Sequence, residues 1–548
     1  MRMDLGILHG FIVDGSGNPW YRADIGISGK KIAKIGRINR KDCERTIEAK
    51  GLYVCPGFID IHTHSDVMAI LFKGCDSTLR QGVTTHLTGN CGQGIAPLRE
   101  HNIELAKTYW GEWAGRLGET NWRTFEEYLR VLGKGGLGHN MATLLGHGAV
   151  RTAVLGARRD APSKGELRLM KSLVSESMEA GAFGMSTGLV YPPGCFATTE
   201  EIIELCKVVA KYDGMYASHI RGERETIAEA IREAILIGER AGVRVQISHN
   251  CPKWGACGRT AETLGLVAEA RERGLDVTID NDVHTDLAPE LSGALPQYLG
   301  ELPLEERVKH LESKENRRRI KKEIVDDELP AFGPSGLLKH GHFDRIFLLH
   351  ASKQKNLVGK TVQQVADERG ADPFETYFDL IVEEKDGIVA IFDYISGEDV
   401  KALMRDPNMM FSSDCSTWSI EGALNDPPPY FPCAFGEYPG IFERYVRDDP
   451  VLTIQDAVRR MTSFPAQKIG LWDRGLLRPG MKADIAVIDL ARMKDRATDL
   501  WPHTYPLENY PHRYPEGVPY VIVNGKVAVD SGRQTKTLAG EVLKHRWP

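Results

Sequence analysis

A chain of 548 residues exceeds what one hydrophobic core organises, since cores stop growing near ~250–300 residues, so it reads as a large domain with a smaller one attached. Its 42% hydrophobic and 26% charged residues are those of a folded globular protein and exclude the disordered and fibrous classes. A net charge of −6 without any long Lys or Arg run argues against nucleic acid or an anionic membrane as partner and leaves a small molecule as the expected one.

The opening stretch MRMDLGILHGFIVDG carries no apolar h-region with a small-residue cleavage site, so no signal peptide is expected. No run reaches the roughly 18 apolar residues that a membrane span needs. Ten Cys without framework spacing read as reduced thiols in a cytoplasmic protein. Residues 1–56 alternate apolar and polar positions between glycines, as in GFIVDGSG and DIGISGKKIAKIG, which predicts short β-strands. The C-terminal part, 466–548, has the same character in RPGMKADIAVIDL and VPYVIVNGKVAVDSGR. Chain ends often lie close together, so both ends are expected to build one small β-sandwich domain.

The middle, 57–465, follows another rhythm. GFIDIHTH, GVTTHLTGNC, MATLLGH, GAFGMSTG, GMYASH, VRVQISH, LDVTID and NMMFSSD are eight apolar runs, and all but GAFGMSTG end in a polar residue. Amphipathic stretches separate them, such as SKGELRLMKSLVSESMEAG and ETIAEAIREAILIGERAG, with a period of about 3.6 residues and a terminal Gly. Strands apolar throughout and alternating with helices predict a parallel sheet covered on both faces. Eight units predict an α/β fold, a (β/α)8 TIM barrel. One connection is long, and within it the segment around 285–350, with the charged run ESKENRRRIKKE, is expected to be a lid-like insertion whose charged run is a solvated helix face.

Catalytic residues of such barrels sit at the carboxyl ends of the strands. His62 and His64 end the first run, Cys91 the second, His147 the third, His219 the fifth, His249 the sixth and Asp414 the eighth. A lone strand-end His is usually structural, but this many equivalent positions argue for a site. Imidazole, thiolate and carboxylate are ligands of Zn²⁺. The set His62, His64, Cys91, His219, His249 and Asp414 is too large for one tetrahedral ion and suits two neighbouring ions, or one tight and one weak. Metal-bound water becomes a hydroxide near neutral pH, and Asp414 is the expected general acid/base.

The pattern resembles the amidohydrolase superfamily and, more finely, the N-acyl-D-amino-acid deacylases (D-aminoacylases). The stretches that carry the resemblance are GNCGQGIAPL, LLGHGAVR, GMSTGLVYPPGCFATTEE, YASHIRGE, VQISH, SSD, MTSFPAQKIGLWDRGLLRPGMKADIAVIDL and VNGKV. HxH alone is a moderate signal, whereas GNCG with STGLxYxPG and SHIRGE is a strong one. The resemblance implies a tight zinc at Cys91, His219 and His249, a weaker second site at His62 and His64, Asp414 as acid/base, and no carboxylated Lys on the fourth strand, where GMSTGL offers none. Arg221 and Glu223 are then expected to orient ligands.

The sequence departs from that family in the substrate pocket. DNDVHTD replaces a Tyr-Pro-Tyr segment, with His284 near the second Tyr. FPCAFG stands where His-Pro-Arg is usual, so that Cys433 falls where an Arg would grip the substrate α-carboxylate, and Lys253 is the nearest match to a displaced Lys. Cys cannot supply the Arg fork. Zinc-dependent deacylation of an N-acyl-D-amino acid therefore requires another clamp, from Arg221, Lys253, His284 or Arg444. The alternative is an amide, linear or cyclic, without a free α-carboxylate. A metal-free binding protein on the same fold is the distant reading, because no ligand position is vacant. A purine or cytosine deaminase has no use for Cys91.

Overall fold

The computed structural model describes residues 2–110, 112–284, 286–287, 290–300, 302–326, 334–419, 432–497 and 514–546. Parts of the expected lid-like segment 285–350 and of the expected C-terminal unit 466–548 thus lie outside the described residues.

Each of the eight apolar runs contains a strand. In chain order these are Phe58–Asp60, Val83–Thr88, Asn140–Thr143 continued by Leu145–Gly146, Gly184–Gly188, Met215–His219, Arg244–Ile247, Val277–Asn281 and Met409–Phe411. Each pairs in parallel with the next. The first and eighth meet just beyond their ends, where Asp414 N donates to His62 O at 3.1 Å and His64 N to Cys415 O at 3.0 Å. These bonds draw the carboxyl ends of the strands into a ring. Inside it, Ile61, Leu87, Ala142, Phe183, Ala217 and Met410 form one buried cluster with Ile469 and Leu543. The C-terminal Leu543 thereby packs into the same apolar layer as residues from six of the strands or their edges.

The connecting helices begin and end where local chemistry dictates. Ser163 and Glu166 form a reciprocal capping box at the start of Lys164–Ala180, and Gly181 closes it in the left-handed region at φ 117°. Ile227–Ala241 likewise ends at Gly242, φ 70°. The charged run forms the helix Lys314–Val325, which buries Arg317, Ile320 and Ile324 and exposes most of its other charges.

The two ends of the chain share a nine-stranded sheet, in which Tyr53–Pro56 pairs with Ile485–Ile488. Alternate residues Leu5, Ile7, Ile25, Ile27, Ile485 and Val487 supply its buried face, as a period of two requires. The long connection carries a hydrophobic cluster of its own, from Leu291 to Phe392, so it extends well past residue 350. Its antiparallel strand pair Ile346–Ala351 with Ile388–Asp393 is tied to the sixth strand's loop through Trp254 N to Tyr394 O, 3.1 Å. Among the described residues no helix is long and apolar enough to cross a membrane.

Phe183 is 1% exposed and stands inside the ring. Phe183→Ala is expected to destabilise the protein by about 3–5 kcal/mol through the cavity it leaves, read as a lower denaturant midpoint at unchanged slope.

Candidate metal centre

The residues expected at the strand ends do meet. Side-chain donors of His62, His64, Cys91 and Asp414 lie within 4.8 Å of one another, and so do those of Cys91, His219 and His249. The two sets share the Cys91 sulfur. His62 Nε2 is 3.2 Å from Cys91 Sγ, and His249 Nε2 is 3.5 Å from it. Asp414 Oδ1 lies 3.2 Å from His62 Nε2 and 3.0 Å from His64 Nε2.

Backbone geometry aims these groups. Cys91, His249 and Asp414 all sit at positive φ, 52°, 34° and 50°, a region that L-residues avoid and that clusters at functional sites. Each turns the chain sharply off its strand so that the side chain points over the ring. The glycines beside Cys91 permit this. A Cβ at Gly89 would collide with the Leu144 carbonyl, and one at Gly92 with the Gly188 backbone. The GNCG sequence is therefore a requirement of close strand approach as well as of chemistry.

Carboxylates face the imidazoles from behind, the arrangement in which metal-binding His residues are commonly held. Asp280 lies 3.3 Å from His62 Nδ1 and accepts from His249 N at 2.9 Å and Gln246 Nε2 at 2.7 Å. Glu223 lies 3.2 Å from His249 Nδ1 and 3.6 Å from His219 Nε2. With Nδ1 of His62 and His249 turned toward carboxylates, their Nε2 atoms face the shared sulfur. His219 Nε2 is buried without a hydrogen-bond partner. This donor chemistry, largely buried, fits one or two borderline divalent ions.

Electrostatics agree. Burial pushes the Cys91 thiol up, but His62, His219 and His249 outweigh it and hold the thiol well below its usual range. Asp414 is likewise held well below the carboxylate range, because His62 and His249 override its burial. Burial lowers His64, yet Asp414 and Cys91 raise it to about 9. Asp60, which accepts from Ser413 N at 3.1 Å, is pushed up to about 7 by burial.

The profile of the Amidohydrolase family matches residues 45–529. The chain belongs to that family. It is 31% identical to the D-aminoacylase of Alcaligenes xylosoxydans xylosoxydans over 98% of this chain and 97% of the relative. Among solved structures it is similar to the N-acyl-D-glutamate deacylase of Bordetella bronchiseptica complexed with zinc and a phosphonate inhibitor, with TM-score 0.76, 28% identity, and 99% and 100% of the two chains covered. It is also similar to a D-aminoacylase with a binuclear metal center, with TM-score 0.77, 28% identity and the same coverage. This amidohydrolase is thus a metal-dependent, deacylase-like hydrolase.

The residues expected to grip a substrate fall into two groups. The Arg221 guanidinium of this amidohydrolase is engaged by Glu233 at 2.9 Å and by the carbonyls of Cys195 and Ala197 at 3.2 and 3.0 Å. His284 Nδ1 lies 2.6 Å from Glu437, and its Nε2 lies 3.9 Å from Asp495; Arg444 donates to the same Asp495 at 2.8 Å. Lys253 is different. It is buried, 3.9 Å from the Glu223 carboxylate that also contacts His249, and 5.1 Å from the Tyr394 ring. Sequence reasoning missed Tyr394, which the long connection supplies, and Asp280, the carboxylate that ends the run LDVTID.

His147, which lies outside the expected ligand set, stands apart from both donor sets: it begins the helix His147–Leu155 and lies 2.9 Å from Glu201, which also binds Arg151. One expectation changes. The thiols are not all reduced, since Cys415 and Cys433 form a disulfide. Cys433 opens the helix Cys433–Gly440, and the two Cα atoms stand 6.3 Å apart, within bridging range. The Cys433 sulfur is therefore engaged with the residue next to Asp414.

Asp280→Asn is expected to weaken divalent-ion affinity about 10–100-fold, measured by chelator competition; unchanged affinity would detach Asp280 from the ligand cage. Burial lowers His284, but Asp495 and Glu437 raise it from 6.5 to about 10, while burial holds Glu437 itself above its usual range. A folded-state pKa raised this way contributes stability that is complete below pH 6.5 and lost as pH rises through about 10. The stability difference between wild type and His284→Gln should therefore shrink across that window in urea titrations.

Proposed function

We propose that this amidohydrolase deacylates an N-acyl-D-amino acid, with zinc held tightly by Cys91, His219 and His249 and more weakly, at a second position, by His62 and His64. The observation that carries the reading is the pair of donor sets joined at Cys91, with Asp414 Oδ1 3.0–3.2 Å from His64 and His62. Bound zinc supplies Lewis acidity, which acidifies water and polarises the amide carbonyl. Asp414 takes the proton of the attacking water and delivers it to the leaving nitrogen, so a carboxylate and an amine are released. Its ionised state at neutral pH suits the first of these steps. Lys253 is the cation we assign to the substrate α-carboxylate, supported by its burial beside Glu223 and Tyr394. Arg221 and His284 act through the neighbours they hold. We read the architecture as a (β/α)8 barrel over 57–465, with an insertion in its long connection and a small β-domain made from 1–56 and 466–548, and the setting as cytoplasmic.

A second reading keeps the mechanism and changes the substrate to an amide without a free α-carboxylate. One observation favours it: Cys433, at the position where the resemblance predicts an Arg clamp, is bonded to Cys415. Parallel assays of N-acetyl-D-amino acids and their carboxamides separate the two. Faster hydrolysis of the free acids, lost in Lys253→Met, supports the first; equal or faster hydrolysis of the carboxamides supports the second. Asp414→Asn should lower kcat by at least about 10²-fold with zinc content unchanged by elemental analysis, whereas Cys91→Ala should lose both zinc and activity. Activity retained in Cys91→Ala would remove the reading altogether.

A further inference from the structure

Beside Cys91 lies a cavity of about 590 Å³. Close-packed interiors leave few voids larger than a water molecule, whereas small-molecule sites occupy ~300–1,000 Å³. One wall is the turn that carries Cys91, another is the loop after the fourth strand with Tyr191 and Pro193, and the rest includes Leu105, Trp110 and Ala149. Among the described residues no Asp, Glu, Lys, Arg or His lines it. Tyr191 turns its hydroxyl away to donate to Cys91 O at 2.7 Å, and its ring sits edge-on to His219, 5.2 Å between centroids. Of the donor residues Cys91 alone lines the cavity, which presents mainly apolar and aromatic surface elsewhere.

The groups suited to the other half of a substrate lie elsewhere. Lys253 and Tyr394 stand beside Glu223 and His249, and neither lines the cavity. An amide held at the donor cluster has two halves, and only one of them would carry a carboxylate. A charge has no partner in the Cys91 cavity, and burying it unpaired is costly; an alkyl chain gains from every methylene it buries there.

We propose that this cavity is the acyl subsite, and that the enzyme is specific for uncharged, apolar acyl groups several carbons longer than acetyl. The proposal rests on the deacylase reading and adds the substrate half which that reading leaves open.

The test measures kcat/KM of the zinc-loaded, full-length enzyme on N-acetyl-, N-butanoyl-, N-hexanoyl- and N-octanoyl-D-leucine, and on N-acetyl derivatives of D-alanine, D-leucine and D-phenylalanine. Wild type is expected to gain about fourfold per added acyl methylene until the cavity fills. Ala149→Phe, which fills it, should flatten the acyl series and leave the order of the amine series as it was. Leu105→Glu, at a half-buried position where folding is less at risk, should also flatten the acyl series by putting a charge on the wall. A flat or falling acyl series in wild type overturns the proposal. So does a change confined to the amine series in both variants, which would assign the cavity to the amino-acid side chain. Failure to hydrolyse any member, with zinc bound, overturns the deacylase reading and this inference together, and is distinct from a flat series.

Discussion

The site depends on the mutual compensation of charges that none of its members could bear alone. Cys91, His62, His219, His249, Glu223 and Asp280 are all buried, and an isolated ion in such a place costs several kcal/mol. Here each carboxylate faces an imidazole and each imidazole faces the sulfur or another acid, so the imidazoles outweigh the burial that opposes ionisation of the thiol and of Asp414. The same arrangement collects lone pairs at one point. A divalent cation completes that charge balance, and the hydrolytic chemistry of the family follows from what such a cation does to water.

Geometry makes the compensation possible, and it is bought with strain. Three of the site residues adopt positive φ, each costing on the order of 1–3 kcal/mol. The ring of parallel strands withstands this because its inner layer, from Ile61 to Met410, is apolar and closed by Leu543. The hydrogen bonds that join the first strand's exit to the eighth's run through His62, His64, Asp414 and Cys415 themselves. Closing the ring and assembling the site are therefore one event.

The surroundings adapt this frame to a substrate. The long connection, with its own core, returns Tyr394 beside Lys253. The disulfide after Asp414 ties the start of the helix Cys433–Gly440 to the exit of the eighth strand. The turn after Gly89 has two neighbours, a ligand cluster and an apolar cavity. Polar and apolar demands are thus separated across one residue, Cys91, in keeping with an amide whose two halves differ in character.

Much of this was legible in the sequence. Eight apolar runs, all but one with polar ends, located the strands, glycine and capping residues located the helix ends, and His62, His64, Cys91, His219, His249 and Asp414 stood out because strand ends of parallel α/β folds face one side. Periodicity is a local property, set by 2.0 or 3.6 residues per repeat, and it survives without coordinates. What required the tertiary structure was every choice among equivalent local signals. His147 ends a run as His219 does, yet Glu201 and Arg151 draw it into a separate network. Arg221, Arg444, His284 and Lys253 are all cations near the right motifs, but only their partners distinguish them. Asp280 orients His62, and Cys415 meets Cys433, through contacts between residues far apart in the chain. Such pairings depend on how the ring closes and loops return, which no local spacing encodes.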